Sequence, residues 1–202
     1  MKLYYSKGSC SLAIRILINE LNLKVDFVAV NLKNKQTEQG QDFFKINIKG
    51  AVPSLQLEDG SILTENLVIQ QYLADTHNGS ALLPKVGEMQ RYRVLEWSNF
   101  VTTELHKGCG PFFNPDMPAD VKEKIFKPML VKKLDWVEQA LGKHKFIAGE
   151  QYSIADIYLW VVLSWLPHIG FEHKNWPHVE KYFKELSKRP AVHKSLMDEK
   201  LV

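Results

Sequence analysis

Cys10 is the first residue of this chain whose type and setting invite chemistry. It follows Gly8 and Ser9 and opens a segment in which Ala13, Leu17 and Leu21 recur at helical spacing, as do Ile14 and Ile18. A helix N-terminus presents unpaired N–H groups and the positive end of a dipole, both of which favour a thiolate. The same position equally suits a cysteine as a small buried hydrophobe. Ala13 stands where a Cys-x-x-Cys motif would need its second cysteine, so no intramolecular dithiol cycle is expected. A second constellation is Asn99, Thr103 and His106, which fall at i, i+4 and i+7 and form one polar stripe on a helix. A solvated face is the commoner fate of such a stripe, although Asn and Thr are mediocre helix formers and a plain surface would more often carry Glu, Lys or Gln. Glu65 and Asn66 begin another helix, where the dipole alone accounts for an acidic side chain. Lys33 and Lys35 lie among polar neighbours and read as solvated cations. Pro53 follows Val52 just before a strand, a setting in which trans is the ordinary isomer.

These groups sit on a recognisable order of elements. Residues 3–5 form a short β-type run, a loop leads to the helix opened by Cys10, and residues 25–30 read as a second strand. Strand, helix and strand in so short a span imply a parallel βαβ unit with a right-handed crossover. Residues 52–57 and 62–63 are β-type runs around Asp59-Gly60, a hairpin turn in which Gly supplies positive φ. A helix over 65–77 closes the segment. The order βαβ, irregular segment, ββα is that of a thioredoxin-like α/β domain, assigned to residues 1–78. A linker begins at Asn78-Gly79-Ser80, and the rest shows helical patterns only, over about 88–108, 119–141, 154–166 and 177–188, assigned to an all-α domain over 87–202. Ser153 and Asp156 form a helix-start signal, with Tyr152 and Ile157 placed for a hydrophobic staple; this is a folding element rather than a site.

Composition narrows the function. A net charge of +3, with Lys and Arg mixed among Asp and Glu, argues against nucleic acid and is compatible with a small anionic ligand. The longest apolar run, residues 154–166, is broken by Asp156 and stopped by Pro167, so no membrane span is expected. The N-terminal segment lacks the pattern of a secretory signal, and Cys10 and Cys109 are too few and too far apart for a disulfide framework, which makes the cytoplasm the expected compartment.

The run Met1-Lys2-Leu3-Tyr4-Tyr5-Ser6, then Gly8-Ser9-Cys10-Ser11-Leu12-Ala13, resembles the opening of the bacterial beta-class glutathione S-transferases. Asn47-Ile48-Lys49-Gly50-Ala51-Val52-Pro53 and Leu63-Thr64-Glu65-Asn66 resemble the glutathione-binding segments of that class, and the likeness continues through Asn99, Thr103, His106-Lys107 and the Ser153–Asp156 cap. The resemblance implies a homodimeric detoxification enzyme that uses glutathione as co-substrate, with no metal and no other cofactor. It places glutathione's sulfur at Cys10 and brings His106 across a cleft, with Asn99, Thr103 and Lys107 lining the same site. It implies a cis Pro53, with Val52 pairing to the cysteinyl backbone of glutathione. Glu65 would bind the α-ammonium of the γ-glutamyl arm and Asn66 its carboxylate, although Asn66 stands where the class commonly has Ser or Thr. Lys35 would meet the glycyl carboxylate, with Lys33 as its rival. Lys7 replaces a frequent proline and leaves the loop before Cys10 less constrained. Because other classes activate glutathione with Tyr or Ser, Tyr5, Ser9 and above all Ser11 compete with Cys10.

The chemistry expected is addition of glutathione to an apolar electrophile. Its pocket is expected near the loop after Tyr5 and around Gly108–Phe113, with Phe112 and Phe113 as apolar walls. Lowering a thiol pKa by two units takes roughly 2.7 kcal/mol. An exposed helix dipole offers about 0.3–1 kcal/mol, whereas hydrogen bonds to a charged acceptor contribute about 1.5–3 kcal/mol each. Donors decide, and Cys10 and His106 are the best available. A thiol held against glutathione's sulfur also forms a mixed disulfide under oxidation, so thiol-disulfide or peroxidase chemistry through Cys10 is expected as a second activity. A binding protein that has lost the glutathione site, and a dedicated glutaredoxin-like reductase, are the alternatives.

Overall fold

The computed structural model describes residues 1–202, and the chain divides into two compact units, residues 1–80 with 189–202, and residues 81–188. In the first unit, a short apolar run forms β1 (Lys2–Tyr5), whose Leu3, Tyr4 and Tyr5 are buried. α1 (Ser11–Glu20) carries apolar residues around most of its circumference, and Ser11 through Ile18 are all buried. β2 (Asp26–Asn31) returns parallel to β1, completing the expected βαβ unit. The irregular segment contains a two-residue strand that the sequence pattern does not signal, β3 (Gln36–Thr37), antiparallel to β2. β4 (Ser54–Gln56) and β5 (Ile62–Thr64) pair antiparallel around a turn in which Gly60 has φ +86°. The sheet order is β3-β2-β1-β4-β5. α2 (Asn66–Thr76) follows β5.

The second unit is helical: α3 (Met89–Phe100), α4 (Lys107–Phe113), α5 (Ala119–Val121), α6 (Lys127–Leu141), α7 (Ile154–Ser164) and α8 (Pro177–Ser187). Two π-helical stretches, Val101–His106 and Lys122–Phe126, interrupt what the periodicity presents as continuous α-helices. α7 is buried from Ile154 to Leu163 and packs against α3, α8 and the Val101–His106 stretch. Its start is fastened by one carboxylate. Asp156 accepts the backbone N–H of Ser153 at 2.8 Å, the Ser153 hydroxyl at 2.7 Å, the Ile147 N–H at 2.8 Å and the Tyr182 hydroxyl at 2.9 Å. Burial pushes the Asp156 carboxyl upward in pKa, and the four donors oppose that shift. The Ser153–Asp156 signal is thus the folding element that the sequence indicates.

The compact units are bounded differently from the expected all-helical domain over 87–202. The second unit begins at residue 81, and α9 (Pro190–Asp198) belongs with the first unit. The reason is specific pairing with α1. Arg189 binds Glu20 through two bonds, at 2.8 and 3.1 Å, and Asn19 donates to Ser195 at 2.8 Å. Arg15, buried and stacked over Tyr5 and Phe27 at 4.4 and 3.7 Å, donates to Glu199 at 3.0 Å. The other Glu199 oxygen accepts the Gly8 N–H at 2.8 Å. Gly8 has φ +65°, a region that L side chains rarely occupy. The loop before Cys10, expected to be loose because of Lys7, is therefore clamped by the chain's last residues.

Two stability outcomes follow from these buried carboxylates. Asp156→Ala orphans four donors at about 1–3 kcal/mol each, and urea titration should show a loss above about 3 kcal/mol. Glu199→Ala leaves Arg15 buried without its carboxylate and should cost about 3–5 kcal/mol in the same measurement, whereas Glu199→Gln, which can still accept from Gly8, should cost less.

Candidate active site

Cys10 is the N-cap of α1 (φ −57°, ψ −20°) and half-buried. The amides that follow it are already used: Ser11 N–H donates to Ser9 Oγ at 3.3 Å, Leu12 N–H to Ser9 O at 3.0 Å and Ala13 N–H to Cys10 O at 3.2 Å. The helix end therefore offers its dipole to the sulfur, while these three N–H groups serve the chain itself. Cys10 Sγ lies 3.4 Å from Val52 O. A carbonyl only accepts, so this contact is one that Cys10 makes as an S–H donor. Its carbonyl in turn accepts the Asn66 side-chain amide at 2.6 Å.

The competing hydroxyls are committed elsewhere. Ser11 is fully buried; its Oγ donates to Ser6 O at 3.2 Å, accepts Ser6 N–H at 3.1 Å and lies 2.8 Å from Ser9 Oγ. It stitches the loop to α1. Tyr5 is buried against Arg15 and Phe27, and burial raises its phenol pKa.

Four further expected glutathione ligands, Val52, Pro53, Lys35 and Glu65, lie in the same unit as Cys10. The Val52–Pro53 bond is cis, as the resemblance implies, and the Val52 N–H makes no hydrogen bond within the chain. Lys35 Nζ reaches Gly50 O at 2.9 Å, beside this loop, whereas Lys33 is exposed; the structure thus brings Lys35, not Lys33, to the Val52 segment. Glu65 is the N-cap of α2 with φ +71°, an unfavourable conformation for a side-chain-bearing residue that costs about 1–3 kcal/mol and is characteristic of functional positions. Its carboxylate is exposed and pairs with Lys49 Nζ at 2.5 Å; Lys49 also donates to Thr64 Oγ1 at 2.8 Å. Lys49 falls inside a quoted motif, yet residue type alone does not assign it a partner.

Asn66 departs from expectation. Its side chain is nearly buried and fully occupied, donating to Cys10 O and accepting from Gln70 Nε2 at 2.6 Å. Its side chain thus braces Cys10. The backbone N–H at Asn66 opens α2 and is one of those a helix leaves without an internal partner.

In the helical unit, Asn99, Thr103 and Lys107 are exposed, while His106 is half-buried. His106 is thus the most enclosed member of the expected stripe of Asn99, Thr103 and His106, and it ends the π-helical stretch. There His106 Nδ1 lies 2.6 Å from Tyr158 Oη, and the ring meets Trp165 edge-on at 5.0 Å. Burial, helped by the Lys107 charge, lowers the His106 pKa to about 4. The imidazole is neutral at pH 7 and holds one N–H. Trp165 extends toward Phe113, 6.1 Å away, and Phe112 packs edge-on against Phe171 at 5.3 Å. Beside His106 there is thus an aromatic surface to which Trp165, the C-cap of α7, contributes without any distinguishing pattern in the sequence. Cys109 is fully buried and its thiol is pushed up to about 12. A cavity of about 1050 Å³ in this unit is lined by Arg93, Trp97, Trp136 and Lys143 among others and by none of the expected site residues. No cluster of side chains suited to a metal ion is present, and no helix is long and apolar enough to cross a membrane.

Comparison with known proteins gives the family. Residues 1–75 match the glutathione S-transferase N-terminal domain and residues 100–190 the C-terminal domain. The chain is 40% identical over 201 residues to the glutathione S-transferase GstA of Escherichia coli O157:H7, covering all of both chains. A sphingomonad glutathione S-transferase solved in complex with glutathione, and a beta-class enzyme from Sphingomonas chungbukensis, each superpose with a TM-score of 0.95 at 36% identity, covering all of both chains. Two domain models along the chain and likeness over its full length lead to one assignment: this chain belongs to the glutathione S-transferase family, in the beta class that its motifs resemble.

Proposed function

We propose that this transferase joins the sulfur of reduced glutathione to small apolar electrophiles, and that Cys10 adds a second, redox activity. One juxtaposition carries the proposal: Cys10 at the start of α1, its sulfur 3.4 Å from the carbonyl of Val52 and its own carbonyl bonded to Asn66. That arrangement gathers the sulfur position, the Val52 N–H and the start of α2 into one region of the first unit. Glutathione lies along it with its cysteinyl backbone pairing to Val52. The γ-glutamyl ammonium goes to Glu65 in place of Lys49, its carboxylate to the Asn66 N–H, and the glycyl carboxylate to Lys35. Asn66 thus contributes to binding through its backbone. His106, Asn99, Thr103 and Lys107 complete the set from the helical unit.

Conjugation needs glutathione's sulfur as thiolate and an electrophile within reach. Donors supply the stabilisation: the Cys10 S–H turns from Val52 O to the sulfur, and the neutral His106 donates its N–H. The glutathione sulfur attacks the electrophile, and the leaving group or added proton balances the charge. The aromatic surface of Trp165 and Phe113 favours apolar substrates. In the redox branch, the Cys10 thiolate attacks oxidised glutathione, forms the Cys10–glutathione disulfide and releases one reduced glutathione. With a peroxide, Cys10 becomes the sulfenic acid as the alcohol leaves. One glutathione then forms the mixed disulfide with loss of water, and a second releases Cys10 as oxidised glutathione departs. Detoxification in the cytoplasm, by a homodimer, fits this chemistry.

Replacing Cys10 by Ala should abolish the mixed disulfide after treatment with oxidised glutathione, read by intact mass, while leaving part of the conjugation of a model aryl halide. An adduct in Cys10→Ala would have to sit on Cys109, and the redox assignment would fail. Because the pKa of His106 is depressed to about 4, its imidazole keeps one protonation state from about pH 5 upward. The pH profile of kcat/KM should therefore contain no inflection near 6.5 that disappears in His106→Gln; finding one would show that His106 works as a titrating group.

A further inference from the structure

The bond between His106 Nδ1 and Tyr158 Oη, 2.6 Å, sits in a setting that makes its direction decisive. Tyr158 is fully buried in the first turns of α7, two residues after Asp156, whose four donors fasten that helix. His106 ends the π-helical stretch and is held edge-on by both Tyr158 and Trp165. A neutral imidazole has one N–H and one bare nitrogen, and whatever binds the first nitrogen selects the state of the second. A phenol can donate to Nδ1 or accept from it. If it accepts, Nε2 is bare and can only accept. If it donates, Nε2 carries the proton and is a donor at every pH at which the ring is neutral. A phenol hydroxyl is a stronger donor than acceptor toward an imidazole nitrogen, and the short distance fits O–H···N.

We propose that Tyr158 is a positioning residue, whose hydroxyl donates to His106 Nδ1 and so fixes the imidazole as the Nε2–H tautomer that presents a hydrogen-bond donor. This rests on the assignment of His106 to glutathione's sulfur made above, and adds the group that makes His106 a donor. The burial that keeps His106 neutral is consistent with it.

Long-range proton–nitrogen NMR of the full-length 15N-labelled protein at pH 7 tests the tautomer directly, with His106 identified by the signals missing in His106→Gln. The expected result is a bare Nδ1 and a protonated Nε2, with and without glutathione. A protonated Nδ1 overturns the proposal, and that reading needs no variant that perturbs Tyr158. Tyr158→Phe should shift His106 toward a tautomer mixture and lower kcat/KM for conjugation about 3- to 10-fold, the equivalent of one ordinary hydrogen bond. The KM for glutathione should stay within about twofold. An unchanged Nε2–H signal together with unchanged kcat/KM in Tyr158→Phe overturns the positioning role. Wild-type conjugation by His106→Gln would instead overturn the assignment of His106 to the sulfur, while the NMR outcome would still decide what Tyr158 does to the ring.

Discussion

The Asn66 amide bonded to the Cys10 carbonyl at 2.6 Å joins the first turns of α1 and α2, and the geometry around the sulfur depends on it. Cys10 is positioned through its backbone. Its carbonyl is held by Asn66, the loop before it is stitched by Ser11 to Ser6, and Gly8 is tied to Glu199. The backbone around Cys10 is thus held on three sides, while its thiol meets the Val52 carbonyl at 3.4 Å. The Asn66 amide is long enough to span to the cysteine backbone, a reach that the Ser or Thr common in the class lacks.

Burial is the second organising force, and it acts in opposite ways on three groups. It holds Cys109 as an inert thiol and keeps His106 neutral. At Glu199 it raises the carboxyl pKa, and Arg15 and the Gly8 N–H counter that effect. A neutral imidazole cannot stabilise a thiolate by net charge, so a directed hydrogen bond is the only such help that His106 can offer. The dipole of α1 remains, but the amides next to it are spent on Ser9 and Cys10. Directed donors, worth about 1.5–3 kcal/mol to a charged acceptor, are therefore the larger effect.

Much of this protein was legible from local signals. The βαβ and ββα order, the Asp59-Gly60 turn, Cys10 at a helix start and the Ser153–Asp156 cap each depend on neighbours within a few residues. Such patterns are written in the chain because backbone sterics and helix ends demand particular residue types at particular spacings. Long-range outcomes were not legible. α9 carries an ordinary amphipathic pattern that does not say which unit it joins; Glu20, Asn19 and Arg15 decide that, from almost the other end of the sequence. Likewise, spacing alone did not signal the π stretch that ends at His106.

The amino-acid sequence by itself determined the kind of fold, the presence of a thiol at the head of α1 and the family to which the motifs belong. Tertiary structure alone decided what each polar group is bonded to. Ser11 became a stitch rather than a donor to ligand, the Asn66 side chain a brace for Cys10, Lys35 rather than Lys33 the neighbour of the Val52 segment, and Tyr158 the partner of His106. The physical reason is that residue type sets which bonds a side chain can make, whereas distance and burial, properties of the folded chain, select the one it does make.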